Sequence, residues 1–139
     1  MRAQAAARAC VVVAAAAVLA WLGVMEYNAR TLNRGVETAS EMFTSGATRE
    51  GFRSAEADFR DARLFSPDAT PDLHRAVLYR VHGRVPQAIA LLEVVVSREP
   101  ENVTAWNVMY PLVRERDPAA ARRALAARRR LDPISFRGR

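Results

Sequence analysis

With 139 residues, half of them hydrophobic, and a formal net charge of +6, the chain has room for one small folded domain beside an apolar N-terminal segment. Its single cysteine, Cys10, excludes an intrachain disulfide framework and a multi-cysteine zinc site. All 21 basic residues are arginine, a uniformity that points to a GC-rich coding sequence, so it is their placement that informs: residues 1–34 carry four Arg against one Glu, residues 35–121 ten against thirteen acids, and residues 122–139 seven against Asp132.

From Ala9 to Met25 the chain reads ACVVVAAAAVLAWLGVM, an uncharged run bounded by Arg8 and Glu26. As a helix this spans about 25 Å, close to the ~30 Å hydrocarbon core of a bilayer. Arg8 can snorkel to lengthen the span through Ala5 to Ala7, and Trp21 and Tyr27 suit the interface. A cleaved signal peptide is the rival reading. Val18, Leu19 and Ala20 offer a small-x-small site, but the chain stays apolar from there to Met25, which argues for retention. Cys10 follows Arg8 and Ala9 where a lipobox needs an apolar run, so it reads as a small lipid-facing hydrophobe. Arg2 and Arg8 favour a cytoplasmic N-terminus, with Arg30 and Arg34 opposing; the short N-terminal tail tips the expectation to a C-terminal domain outside the cytoplasm.

Beyond the span a repeat emerges. Pro67, Pro100 and Pro133 are evenly spaced, and each closes one pattern: Ala55, Phe59 and Ala62; Ala88, Leu92 and Val95; Ala121, Leu125 and Arg128. Even spacing of this length means one supersecondary unit stacked several times. The first unit is clearest in its second helix, where Phe52, Ala55, Phe59 and Ala62 share a face; its first helix, around Val36 to Phe43, is weakly apolar, and only Gly35 softens its continuity with the membrane segment. The second unit has a stripe of Leu73, Ala76, Val77 and Val81, a break at Gly83, Pro86 in the next first turn, and a stripe of Ala88, Leu91, Leu92 and Val95. The third has Trp106, Met109, Tyr110 and Val113, then Asp117 as N-cap, Pro118 opening a helix, and Ala121, Ala124 and Leu125. Arg128, where the earlier copies hold Ala62 and Val95, suits a terminal unit with a polar outer face.

Over residues 36–133 the chain resembles the tetratricopeptide repeat family. The family's small second-helix residue is matched by Ala55, Ala88 and Ala121, its large apolar position by Phe59, Leu92 and Leu125, and its terminal proline by Pro67, Pro100 and Pro133. Its tryptophan position is met by Trp106 but holds Asp72 and Ala39 in the other copies; its tyrosine position is met by Tyr79. The resemblance implies a short solenoid of about three helical hairpins, so with the apolar segment the expected fold is all-α, an N-terminal transmembrane helix followed by that solenoid. The parts are an anchor and juxtamembrane helix over 1–34, repeats over 35–133 and a basic tail over 134–139.

It also implies peptide binding along a groove lined by the first helix of each pair, here Leu73, Val77 and Arg80, then Asn107, Pro111 and Arg114. Pro111 inside a helix removes a bond to the carbonyl of Asn107 and bends the helix. The chain contains no nucleotide loop, HExxH, GxSxG or carboxylate cluster at metal spacing. The expectation is therefore no enzyme and no cofactor, with His74 and His82 as solvated surface groups. The expected role is a noncatalytic, single-pass membrane scaffold that docks a protein or peptide partner, of the kind that serves bacterial envelope, polysaccharide or secretion assemblies. The alternative is a charge-driven binder of anionic lipid or polyanion through Arg122, Arg123, Arg128, Arg129 and Arg130. Nucleic acid is not expected, because the arginines lack interleaved aromatics other than Phe136. An array stacking on a second copy would give a homo-oligomer.

Overall fold

The structure is a computed structural model that describes residues 2–46 and 48–136; Arg137 and Arg139 of the basic tail lie outside the described residues. Among the described residues every regular element is helical. Six α-helices run α1 (Arg2–Ser45), α2 (Arg49–Phe65), α3 (Thr70–Val81), α4 (Val85–Arg98), α5 (Val103–Val113) and α6 (Pro118–Leu131), with a 3₁₀ turn at Ile134–Phe136.

The apolar N-terminal segment and the helix that packs on α2 are one continuous helix. No proline interrupts Glu26 to Arg34, the Arg30 Nε donates to Glu26 Oε1 at 2.8 Å, and the Thr31 hydroxyl donates back to the Tyr27 carbonyl at 2.9 Å. Gly35, the expected soft point, does not break the helix. It is buried at the crossing with α2, where a Cβ would stand 2.7 Å from Cε1 of Phe59. Glycine leaves the room that the Phe59 ring occupies. From Cys10 to Val24 the side chains of α1 are exposed, and among the described residues α1 is the one helix long and apolar enough to cross a membrane, with a mean hydropathy of 2.0 in its apolar window.

From α1 onward each helix packs on its neighbours in the chain, α1 on α2, α2 on α3, and so to α6. Local signals set the turns. Gly46 (φ +94°) closes α1, and the Thr48 hydroxyl caps α2 by accepting from the Gly51 N–H at 3.0 Å. Gly83 (φ +71°) ends α3 in a Schellman motif, its own N–H on the Arg80 carbonyl and that of Arg84 on the Tyr79 carbonyl. Asn102 and Asp117 cap α5 and α6, the latter accepting from Ala119 and Ala120. The C-caps Ser66, Glu99 and Asp132 share the spacing of the repeat, each directly before one of the periodic prolines. The proline period thus marks where three helices stop.

The core follows the sequence pattern in α2 and α4 and departs from it in α3 and α6. Ala55, Phe59 and Ala62, and then Ala88, Leu92 and Val95, are all buried. In α6 the buried residues are instead Ala120 and Ala124, with Ala121 and Leu125 only half-buried. Packing explains this: α4 lies between α3 and α5, whereas α6 packs on α5 alone, so only the face toward α5 is covered. In α3 only Ala76 of the expected stripe is fully buried, and it is joined by Asp72 and Tyr79, with Pro71 and Leu78. Leu73 is half-buried against the core, while Val77 is half-buried and Val81 exposed because they face the cleft toward α1.

Successive hairpins are also tied by polar contacts. The Glu99 carboxylate accepts from the Ala69 N–H at 2.7 Å and from Asn102 Nδ2 at 2.8 Å, joining the α2–α3 loop to the α4–α5 loop. The Tyr79 hydroxyl of α3 donates to Glu56 of α2, and the Trp106 Nε1–H donates to the Pro100 carbonyl at 2.8 Å.

Candidate docking groove

Helices α1 and α3 flank α2 and barely touch each other, which leaves a cleft between them of about 240 Å³. Val36, Ala39 and Met42 line it from α1, Val77 and Val81 from α3, and Phe59 of α2 forms its floor. The volume exceeds the roughly 150 Å³ in which an apolar cavity stays dry and holds a benzene-sized guest. Its walls offer contact area and few hydrogen-bonding groups, so the guest they suit is an apolar side chain.

Two histidines belong to this cleft, and both correct the expectation of solvated surface groups. His74 stacks on Phe59 with ring centroids 5.4 Å apart and planes at 15°, and His82 meets Phe52 edge-on at 4.8 Å. Each is half-buried because the face of α3 that carries them turns toward α1 and α2. Burial lowers the pKa of His74 from its ordinary 6.5, so the ring is neutral at physiological pH. Among the described residues no group of three or more His, Cys, Asp or Glu could hold a metal ion.

The expected groove residues separate into two sets. Val77 lines the cleft; Leu73 packs against the core and Arg80 is exposed on α3. Asn107, Pro111 and Arg114 lie together on the exposed side of α5, away from the cleft lining. Helix α5 carries Pro111 within its length, and Arg114 pairs with the neighbouring Glu115 at 2.8 Å on the surface. The cleft residues that sequence reasoning passed over, Val36, Ala39, Met42 and Val81, needed the α1–α3 juxtaposition to be seen. The one available signal was the apolar spacing of Val36 and Ala39 after the membrane segment.

The arginine cluster is likewise divided. Arg122, Arg123, Arg129 and Arg130 are exposed, Arg123 with Glu93 of α4 at 3.9 Å. Arg128 is half-buried: its Nε donates to Asn107 Oδ1 at 2.6 Å, and its guanidinium lies 4.9 Å from the Tyr110 ring and 5.5 Å from that of Phe136. Arg128 therefore joins α6, α5 and the final 3₁₀ turn, and it connects one expected site residue, Asn107, with the other set. The chain matches no protein-family model, and no curated protein or solved structure is significantly similar to it.

Proposed function

We propose that the chain is a membrane-anchored, noncatalytic docking scaffold built from tetratricopeptide-like helical hairpins, and that the α1–α3 cleft receives an apolar side chain of a protein or peptide partner. The observation that carries this reading is the cleft itself, an apolar hollow of about 240 Å³ walled by Val36, Val77 and Val81 and floored by Phe59. A helix or extended peptide laid between α1 and α3 would bury an anchor there, the arrangement by which helical grooves gain both affinity and selectivity. With so short an array the affinity is modest, and confinement to the same membrane raises the effective concentration of a partner.

The test is crosslinking in intact cells followed by recovery of the tagged full-length chain, with Val77→Asp/Val81→Asp as the comparison. Neither side chain is fully buried, so the fold survives the change, as far-ultraviolet circular dichroism would verify. A protein recovered with the native chain and lost with the variant supports the groove; the same proteins recovered with both overturn it.

A second reading, in which α6 engages anionic lipid or another polyanion, is favoured by the exposure of Arg122, Arg129 and Arg130. Replacing these three with glutamine would abolish such binding and leave the groove partner in place.

A further inference from the structure

The pairing of α1 with α2 fixes how the array sits on the membrane that α1 would cross. Gly35 of α1 meets Phe59 of α2, and Met42 meets Gly51, so the two helices run antiparallel in a set register. Phe65, beyond Phe59 at the C-terminal end of α2, lies about 9 Å further along that helix, level with residue ~29 of α1. That level is only about 6 Å past Met25, where the apolar run ends. The headgroup layer on each side of a bilayer is about 5–7 Å deep. With α1 across a bilayer, the C-terminal end of α2 would stand at the membrane surface.

What it exposes there is apolar. Leu64 is 73% and Phe65 50% accessible, and Tyr27 and Trp21 of α1 are 53% and 61% accessible at the same end. Although the first turn of α3 pairs with the neighbouring Arg63 through Asp72, Leu64 and Phe65 are left open among the described residues. Two adjacent large hydrophobic side chains at a helix end are unfavourable against water and favourable at the boundary between headgroups and acyl chains.

We propose that the Leu64–Phe65 tip of α2 inserts into the headgroup–acyl boundary as a second membrane contact, holding the hairpin array at a fixed tilt and rotation about α1. A single helix leaves a domain free to swivel, and two contacts do not. The inference rests on the reading of α1 as a membrane anchor. It also places the near end of the α1–α3 cleft, at Val36, about 10 Å above the level of Phe65. The cleft would thus meet the juxtamembrane part of a partner in the same bilayer.

The experiment uses the full-length chain in phosphatidylcholine–phosphatidylglycerol vesicles. In a Cys10→Ser background an environment-sensitive fluorophore is attached at Leu64→Cys, at Leu19→Cys in the span, or at Ala119→Cys on the exposed start of α6, and nitroxide lipids serve as quenchers. The expected result is a blue-shifted Leu64 probe quenched by lipid labelled near the headgroup, a Leu19 probe quenched by lipid labelled deep in the chain, and an Ala119 probe unaffected. If the Leu64 probe behaves as the Ala119 probe while the Leu19 probe is quenched, the second contact is overturned and the anchor stands. If the Leu19 probe is not quenched either, anchor and contact fall together.

Discussion

Asp72, in the first turn of α3, holds Arg63 of α2 with its Oδ2 2.8 Å from the arginine Nε, while its Oδ1 lies 3.4 Å from Arg75 Nη1. Arg98 of α4 approaches the same carboxylate to 3.9 Å. One buried acid thus ties three consecutive helices by charge. Its removal leaves Arg75, whose side chain is only 16% accessible, without its nearest counter-charge. Asp72→Ala should lower stability by about 3 kcal/mol, the scale set by breaking a buried ion pair from one side. Arg98→Ala, at an exposed and distant partner, should cost under about 1 kcal/mol. Urea unfolding of the two variants checks the contrast, and equal losses would mean that the three-helix node does not form.

Gly35→Ala probes the crossing of the long apolar helix α1 with α2. The new methyl would lie 2.7 Å from the Phe59 ring and 3.2 Å from the Asp58 Cβ, so the helices must part. A loss of about 1–3 kcal/mol is expected, as for overpacking of a tight core. Adding Phe59→Leu should give a combined loss smaller than the sum of the two single changes, because the smaller side chain makes room for the methyl. Thermal unfolding in detergent micelles measures all three, and simple additivity would mean that α1 does not cross α2 at this point.

These two positions show where the sequence was legible and where it was not. Starts and stops were readable, since Asp117 as an N-cap, Gly83 and the spaced prolines act through local backbone geometry that needs no partner. Faces on α2 and α4 were readable because helices on both sides bury a full stripe. Asp72 broke the pattern in a way composition could not explain, because its partners Arg63 and Arg98 belong to the helices before and after its own and meet it only through the packing of all three. The cleft was half legible for the same reason. Val77 could be placed on a groove, but the other wall comes from α1, where beyond the long apolar run only a faint apolar period at Val36 and Ala39 remained to be read.

The stacking of His74 on Phe59 predicts a pH dependence. Burial lowers the folded-state pKa of His74 below its ordinary 6.5. Between those two values the unfolded chain binds the proton and the folded chain does not. Stability from this group is therefore fully present above pH 6.5 and is lost as pH falls through 6.5 toward the lowered value. His74→Gln should flatten the stability profile in that range. It should leave untouched the decline at lower pH expected from Asp68, whose carboxyl is held below its ordinary 3.8 chiefly by the Thr70 N–H. Unfolding free energies measured from about pH 7.5 to 5 would show no difference in slope between native and variant if the imidazole were solvated.

The last hairpin offers the sharpest test of how far the repeat pattern governs packing. Leu92 and Leu125 occupy equivalent places in the sequence repeat, yet Leu92 is fully buried between α3 and α5 while Leu125 is half-exposed on α6, with no helix beyond it among the described residues. Cavity and transfer costs both scale with how enclosed the deleted atoms are. Leu92→Ala should therefore cost about 3 kcal/mol, and Leu125→Ala about 1 kcal/mol. Chemical denaturation of the two variants decides it. Similar large losses would mean that Leu125 is covered after all, by a second copy of the chain or by a segment folding back, and a dependence of the Leu125→Ala effect on protein concentration would identify the second copy.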